Sequence, residues 1–106
     1  MVELTTPENI VVNQPIPVAF QSESRVAGRV RLTKGTEALP ITVVREGKEP
    51  ISGTGPRIRG KSGQFHITDW GEHEVGTELV LRFEAAKVWL TVVEPAPPGW
   101  DFSDRS

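Results

Sequence analysis

The strongest chemical pattern in the chain is an eight-residue stretch. Gly55-Pro56-Arg57-Ile58-Arg59-Gly60-Lys61-Ser62 matches G-x-x-x-x-G-K-[ST], the phosphate-cradling loop of nucleotide hydrolases. Such a loop works when a strand ends, glycine amides point at the phosphates, and a helix starts at the Lys-Ser pair. Here Gly63 follows, a poor residue for a first helical turn, and Gln64-Phe65-His66-Ile67-Thr68 alternates like a strand. No apolar run ending in a magnesium-binding Asp precedes a βαβ crossover, and 106 residues are too few for that parallel-sheet fold. Nucleotide hydrolysis is therefore not expected. What remains is a basic, glycine-rich loop in which Arg57, Arg59 and Lys61 can hold an anion or an acidic partner surface.

Other chemistry is poorly supported. His66 and His73 both fall in FHITDWGEHEV, with Asp69, Glu72 and Glu74 nearby. A metal site needs such ligands to converge. His66 lies on the strand face opposite Phe65 and Ile67, and His73 sits in a polar connection, so both are expected to be surface imidazoles. The chain has no cysteine, which removes disulfides, thiolate metal sites and cysteine nucleophiles together. Glycosidase-type carboxylate pairs need a cleft, and no G-x-S-x-G elbow is present. No catalytic residue, cofactor or metal is expected.

The aromatic residues divide by position. Phe20, Phe65 and Phe83 alternate with apolar neighbours and read as core. Trp70 ends a strand and reads as a plug at the bottom of the core. Trp89 is either packed under a loop or exposed for a partner. Trp100 and Phe102 lie beyond the last strand, where large aromatics cost solubility unless they dock.

These residues must be positioned by strands. Nine prolines and ten glycines punctuate the chain, and no window free of them has a helical apolar period. Period-two runs recur instead: Ile16/Val18/Phe20, Val26/Gly28/Val30/Leu32, Ile41/Val43, Phe65/Ile67, Leu79/Leu81/Phe83 and Val88/Leu90/Val92. VELT at 2–5 and IVV at 10–12 read as short edge strands. The last hairpin folds back around Glu84-Ala85-Ala86-Lys87. Residues 46–63, with five glycines and two prolines, read as a long loop holding one short edge strand near Pro56 to Arg59. The expectation is one antiparallel β-sandwich of seven to eight strands over residues 1–95, followed by a Pro-rich arm at 96–106. The net charge of −2 gives no global argument for nucleic acid or an anionic membrane. No apolar run reaches the length of a membrane span, and no secretory signal is read at the N-terminus.

TTPENIVVNQPIPVAFQ resembles the opening of a bacterial or phage immunoglobulin-like domain, where a first strand leads through a polar turn into the second. GTELVLRFEAAKVWLTVVEP is similar to that family's final hairpin with its V-x-V-x-P exit. The chain departs from the family in having no Cys pair, no Tyr corner and no Trp in the expected third strand. The resemblance implies an Ig-like sandwich engaged in adhesion, decoration or scaffolding. With no cysteine, no secretory signal read and an acidic charge balance, such a module is expected to be a non-enzymatic virion component, a capsid decoration or tail accessory protein. Its partners would be other protein subunits, a further copy of the chain among them. The alternative is an adhesion or carbohydrate-binding module of a larger bacterial surface protein. Contacts are expected through Trp100, Phe102, Arg57, Arg59, Lys61 and Trp89.

Overall fold

The computed structural model describes residues 1–95, so the arm at 96–106, with Trp100 and Phe102, lies outside the described residues. Among the described residues there are nine strands and no helix: β1 (Val2–Thr5), β2 (Asn9–Ile10), β3 (Ile16–Lys34), β4 (Glu37–Ala38), β5 (Ile41–Val44), β6 (Ile51–Gly53), β7 (Arg57–Thr68), β8 (Glu78–Phe83) and β9 (Ala86–Val92). Their pairings form one mixed sheet that curls into a half-barrel.

The organising element is β3. Its first half pairs with β1 on one side and β7 on the other. Beyond an irregularity between Gln21 and Val26 it stays paired with β7 as far as Arg29, then pairs with β8 over Val30 to Thr33. β7 carries the sheet on to β5 and β6, and β8 carries it to β9 and β2. β4 closes a hairpin with the end of β3 through Gly35, whose φ of 61° suits glycine.

Alternation explains the core. Ile16, Val18 and Phe20 from the first half of β3 meet Val30 and Leu32 from its second half. With them lie Phe65 and Ile67 of β7, Leu79, Leu81 and Phe83 of β8, and Leu90 and Val92 of β9. Phe20 ties the two halves together: its ring lies 5.1 Å edge-on from Phe83 and 6.5 Å from Phe65. Trp70 is buried as a plug, and its indole N–H donates to Gln14 O at 3.0 Å. That bond satisfies the one polar atom of the ring.

Several boundaries differ from those read in the sequence. There are nine strands rather than seven or eight. The sheet is mixed rather than antiparallel, because β2 runs parallel to β9. The runs at 16–20 and 26–32 belong to one strand of 19 residues. Ser22-Glu23-Ser24-Arg25 breaks the alternation without ending the strand. The last hairpin turns on Glu84-Ala85 alone, with Phe83 opposite Ala86. The largest correction concerns residues 46–63. Ile51 to Gly53 and everything from Arg57 onward is strand, so Arg57, Arg59 and Lys61 are not loop residues. Two glycines hid this. Gly60 has a φ of 134° at the irregularity of β3. Gly63 lies opposite Phe20, whose Cε1 would be 2.9 Å from a Cβ there. One allows the distorted backbone, the other makes room for an aromatic ring.

Candidate functional site: a basic sheet face around Trp89

Alternation that buries Val30, Leu32, Ile58, Leu81 and Phe83 must send their neighbours outward. On β3 these are Ala27, Arg29 and Arg31; on β7, Arg57 and Arg59; on β8, Glu78, Val80 and Arg82; on β9, Lys87, Trp89 and Thr91, with Glu78 opposite Thr91 at the far end from Arg82. Register then decides what meets. Arg29 is opposite Arg57. Arg31 is opposite Arg82, and Arg82 is opposite Lys87, so three cations form one row across three strands. The next row is Thr33, Val80 and Trp89.

Directly opposed side chains on one sheet face have Cβ atoms about 5 Å apart, and like charges there destabilise the pair. Among the described residues the one hydrogen bond these cations make is from Arg29 Nη1 to Gly55 O, 2.9 Å, a neutral acceptor. Gly55 packs beside Arg29 and Arg31, so the turn before β7 borders the patch. Trp89 is 54% exposed on this face, with Lys87 Nζ 5.8 Å from its ring centroid. An indole with a cation over it offers an apolar plane that can also be shared with a second charged group. The face as a whole can bind an anionic surface and cover one apolar side chain.

The residues singled out from the sequence fare unequally. Arg57 and Arg59 join the face, next to Arg29 and Ala27 respectively. Trp89 is exposed rather than packed under a loop. Lys61 is exposed further along β7, at the irregularity opposite the 22–25 stretch, where the alternation of the strand changes phase between Ile58 and Phe65. Sequence reasoning missed Arg29, Arg31, Arg82 and Lys87. Their outward position was readable from alternation, but their convergence depends on register across β3, β8 and β9.

The histidines lie elsewhere. His66 is exposed on β7. His73 stacks on Trp70, with ring centroids 5.8 Å apart and planes 8° from parallel, and its Nε2 donates to Trp70 O at 3.1 Å. Among the described residues no group of three His, Cys, Asp or Glu side chains could hold a metal. A cleft of about 410 Å³ opens beside Trp70, and its titratable lining is Asp69 and Glu72. Among the described residues no helix is long and apolar enough to cross a membrane. Comparison with family models, curated proteins and solved structures finds no match.

Proposed function

We propose that the protein is a non-enzymatic, Ig-like binding module that docks on other protein subunits through its basic face. The observation that carries the docking is the row Arg31–Arg82–Lys87 beside exposed Trp89. A fold has no use for like charges placed directly across a ladder. A partner with an acidic surface turns that repulsion into attraction and supplies an apolar group for the indole.

The strand pairing supports the Ig-like reading. β1–β3–β7–β5 follows the order A-B-E-D of an immunoglobulin sheet. The second half of β3 with β8 and β9 follows the order C-F-G of the other sheet. On this reading strands B and C are one continuous strand, with Ser22-Glu23-Ser24-Arg25 in place of the usual connection. The setting, a capsid decoration or tail accessory protein on a virion, rests on the sequence: the resemblance together with the acidic, cysteine-free composition.

The test is retention on immobilised poly-glutamate as salt is raised. A chain of net charge −2 is retained only if its cations are concentrated on one surface. The expected result is retention by the full chain that Arg31→Glu/Arg82→Glu abolishes, with an unchanged circular dichroism spectrum. Equal elution of the two proteins overturns the reading. Tighter, sequence-tolerant binding to a single-stranded oligonucleotide than to poly-glutamate would replace a protein partner with nucleic acid.

A further inference from the structure

Among the described residues the exposed large apolar side chains are Met1, Val75 and Trp89. Val75 and Trp89 sit in opposite electrostatic surroundings. Trp89 borders the cation row. Val75, 59% exposed, stands at the tip of a turn in which Thr77 N–H donates to Glu74 O at 3.1 Å and Gly76 takes a φ of 95°. A positive φ at the third residue is the type II arrangement, which presents the second residue, here Val75, outward. Residues 69–78, DWGEHEVGTE, hold Asp69, Glu72, Glu74 and Glu78 and no Lys or Arg. The turn is anchored to the end of β9 by Gly76 N–H to Val92 O, 2.8 Å. It therefore stands at the end of the sheet, beyond Glu78, which faces the same side as Val80 and Trp89 and marks where the acidic turn begins.

We infer that the subunit docking on the basic face is a second copy of this chain, offered through its acidic Val75 turn. The inference rests on the docking function proposed above and names its partner. Each surface supplies what the other lacks: an apolar knob among carboxylates for one, an apolar plane among cations for the other. The two surfaces are different patches, so the contact is head-to-tail. Each added copy leaves one free turn and one free face, and growth ends only if a ring closes.

Sedimentation equilibrium of the full chain tests this, with two variants that carry one dead surface each. The face variant is Arg82→Glu/Lys87→Glu; the turn variant is Glu72→Lys/Glu74→Lys/Val75→Ser. All five positions are on the surface or half-buried, and circular dichroism melts check that both variants fold. At about 20 mM salt the parent chain should form species larger than a dimer, dissociating at about 500 mM as the charges are screened. Each variant alone should associate at least about tenfold more weakly, equivalent to about 1.4 kcal/mol. Mixed in equal amounts, the two should form a one-to-one dimer and nothing larger, because one good face meets one good turn. A parent chain that stays monomeric at low salt overturns the inference, as does a dimer that the mixture fails to restore. If the monomer is still held by poly-glutamate through Arg82, the docking function stands and only its partner is wrong. If retention also ignores Arg82, both fall.

Discussion

The two halves of β3 do the same work on one side of the sheet and different work on the other. Inward, Ile16, Val18 and Phe20 are matched by Val30 and Leu32, all buried in one core. Outward, the first half shows Pro17, Ala19 and Gln21, and its neighbours across the ladder are Glu3, Thr5, Ser62, Gln64 and His66, with no like-charged pair among them. The second half shows Arg29 and Arg31, facing Arg57 and Arg82. Packing demands the inner pattern of both halves. It does not demand the outer cations, which oppose one another across the ladder.

The comparison breaks first if the inner faces are not equivalent. Phe20→Ala removes the ring that touches Phe65 and Phe83 and covers Gly63, and should cost about 3–5 kcal/mol by urea denaturation. Leu32→Ala, in the other half, should cost about 2–5 kcal/mol. A loss below about 1 kcal/mol for either would mean that its half is not core.

Gly63→Val probes the reading of the glycine-rich stretch. A strand position favours Val, but the Cβ meets the Phe20 ring, so a loss of about 1–3 kcal/mol is expected. Lys61→Ala, exposed two residues away, should leave stability within about 0.5 kcal/mol. Isothermal titration of the parent chain with ATP and magnesium should show no binding for that change to remove. Micromolar binding lost in Lys61→Ala would restore the phosphate-loop reading.

The outer face gives a smaller effect with an informative sign. Arg82 stands between Arg31 and Lys87, so Arg82→Glu should raise stability, by up to about 1 kcal/mol at low salt. The gain should shrink as salt screens the charges. The same change should lower retention on poly-glutamate. A residue whose reversal stabilises the fold while weakening binding is there for binding. Destabilisation by Arg82→Glu would instead make the row part of the scaffold.

The smallest effect concerns the last hairpin. Glu84 holds a φ of 56° in a two-residue turn, which costs a non-glycine residue about 1–2 kcal/mol. Glycine relieves that strain but loses more entropy on folding, so Glu84→Gly should stabilise by a net of about 0.5 kcal/mol, read as a rise in Tm.

Much of the fold was legible because strands with one buried face alternate. Leu79, Leu81 and Phe83 against Val80 and Arg82 could be read as a strand directly, and so could Ile16, Val18 and Phe20. The continuity of β3 was not legible: Ser22-Glu23-Ser24-Arg25 is polar at every position and reads as a turn, while neighbouring pairings with β1 and β7 keep it extended. The first half of β7 was hidden for the opposite reason, since Gly60 and Gly63 have no side chain to alternate and Ile58 alone marks the inner face. The candidate site shows the same limit. Arg29/Arg31, Arg57/Arg59 and Arg82/Lys87 are three separate pairs in the sequence. They become one face only through register, which a single chain of letters does not state.

Docking is the proposed role of the cations around Trp89. Its most direct test is a titration of the isotopically labelled full chain with a glutamate-rich peptide, followed by amide and indole chemical shifts. Shifts are expected at the amides of Arg29, Arg31, Arg57, Arg82 and Lys87 and at the Trp89 indole N–H, with Val18 to Gln21 and their ladder neighbours silent. Shifts centred on the first half of β3, or none at Trp89 and Arg82 at saturating peptide, would contradict it.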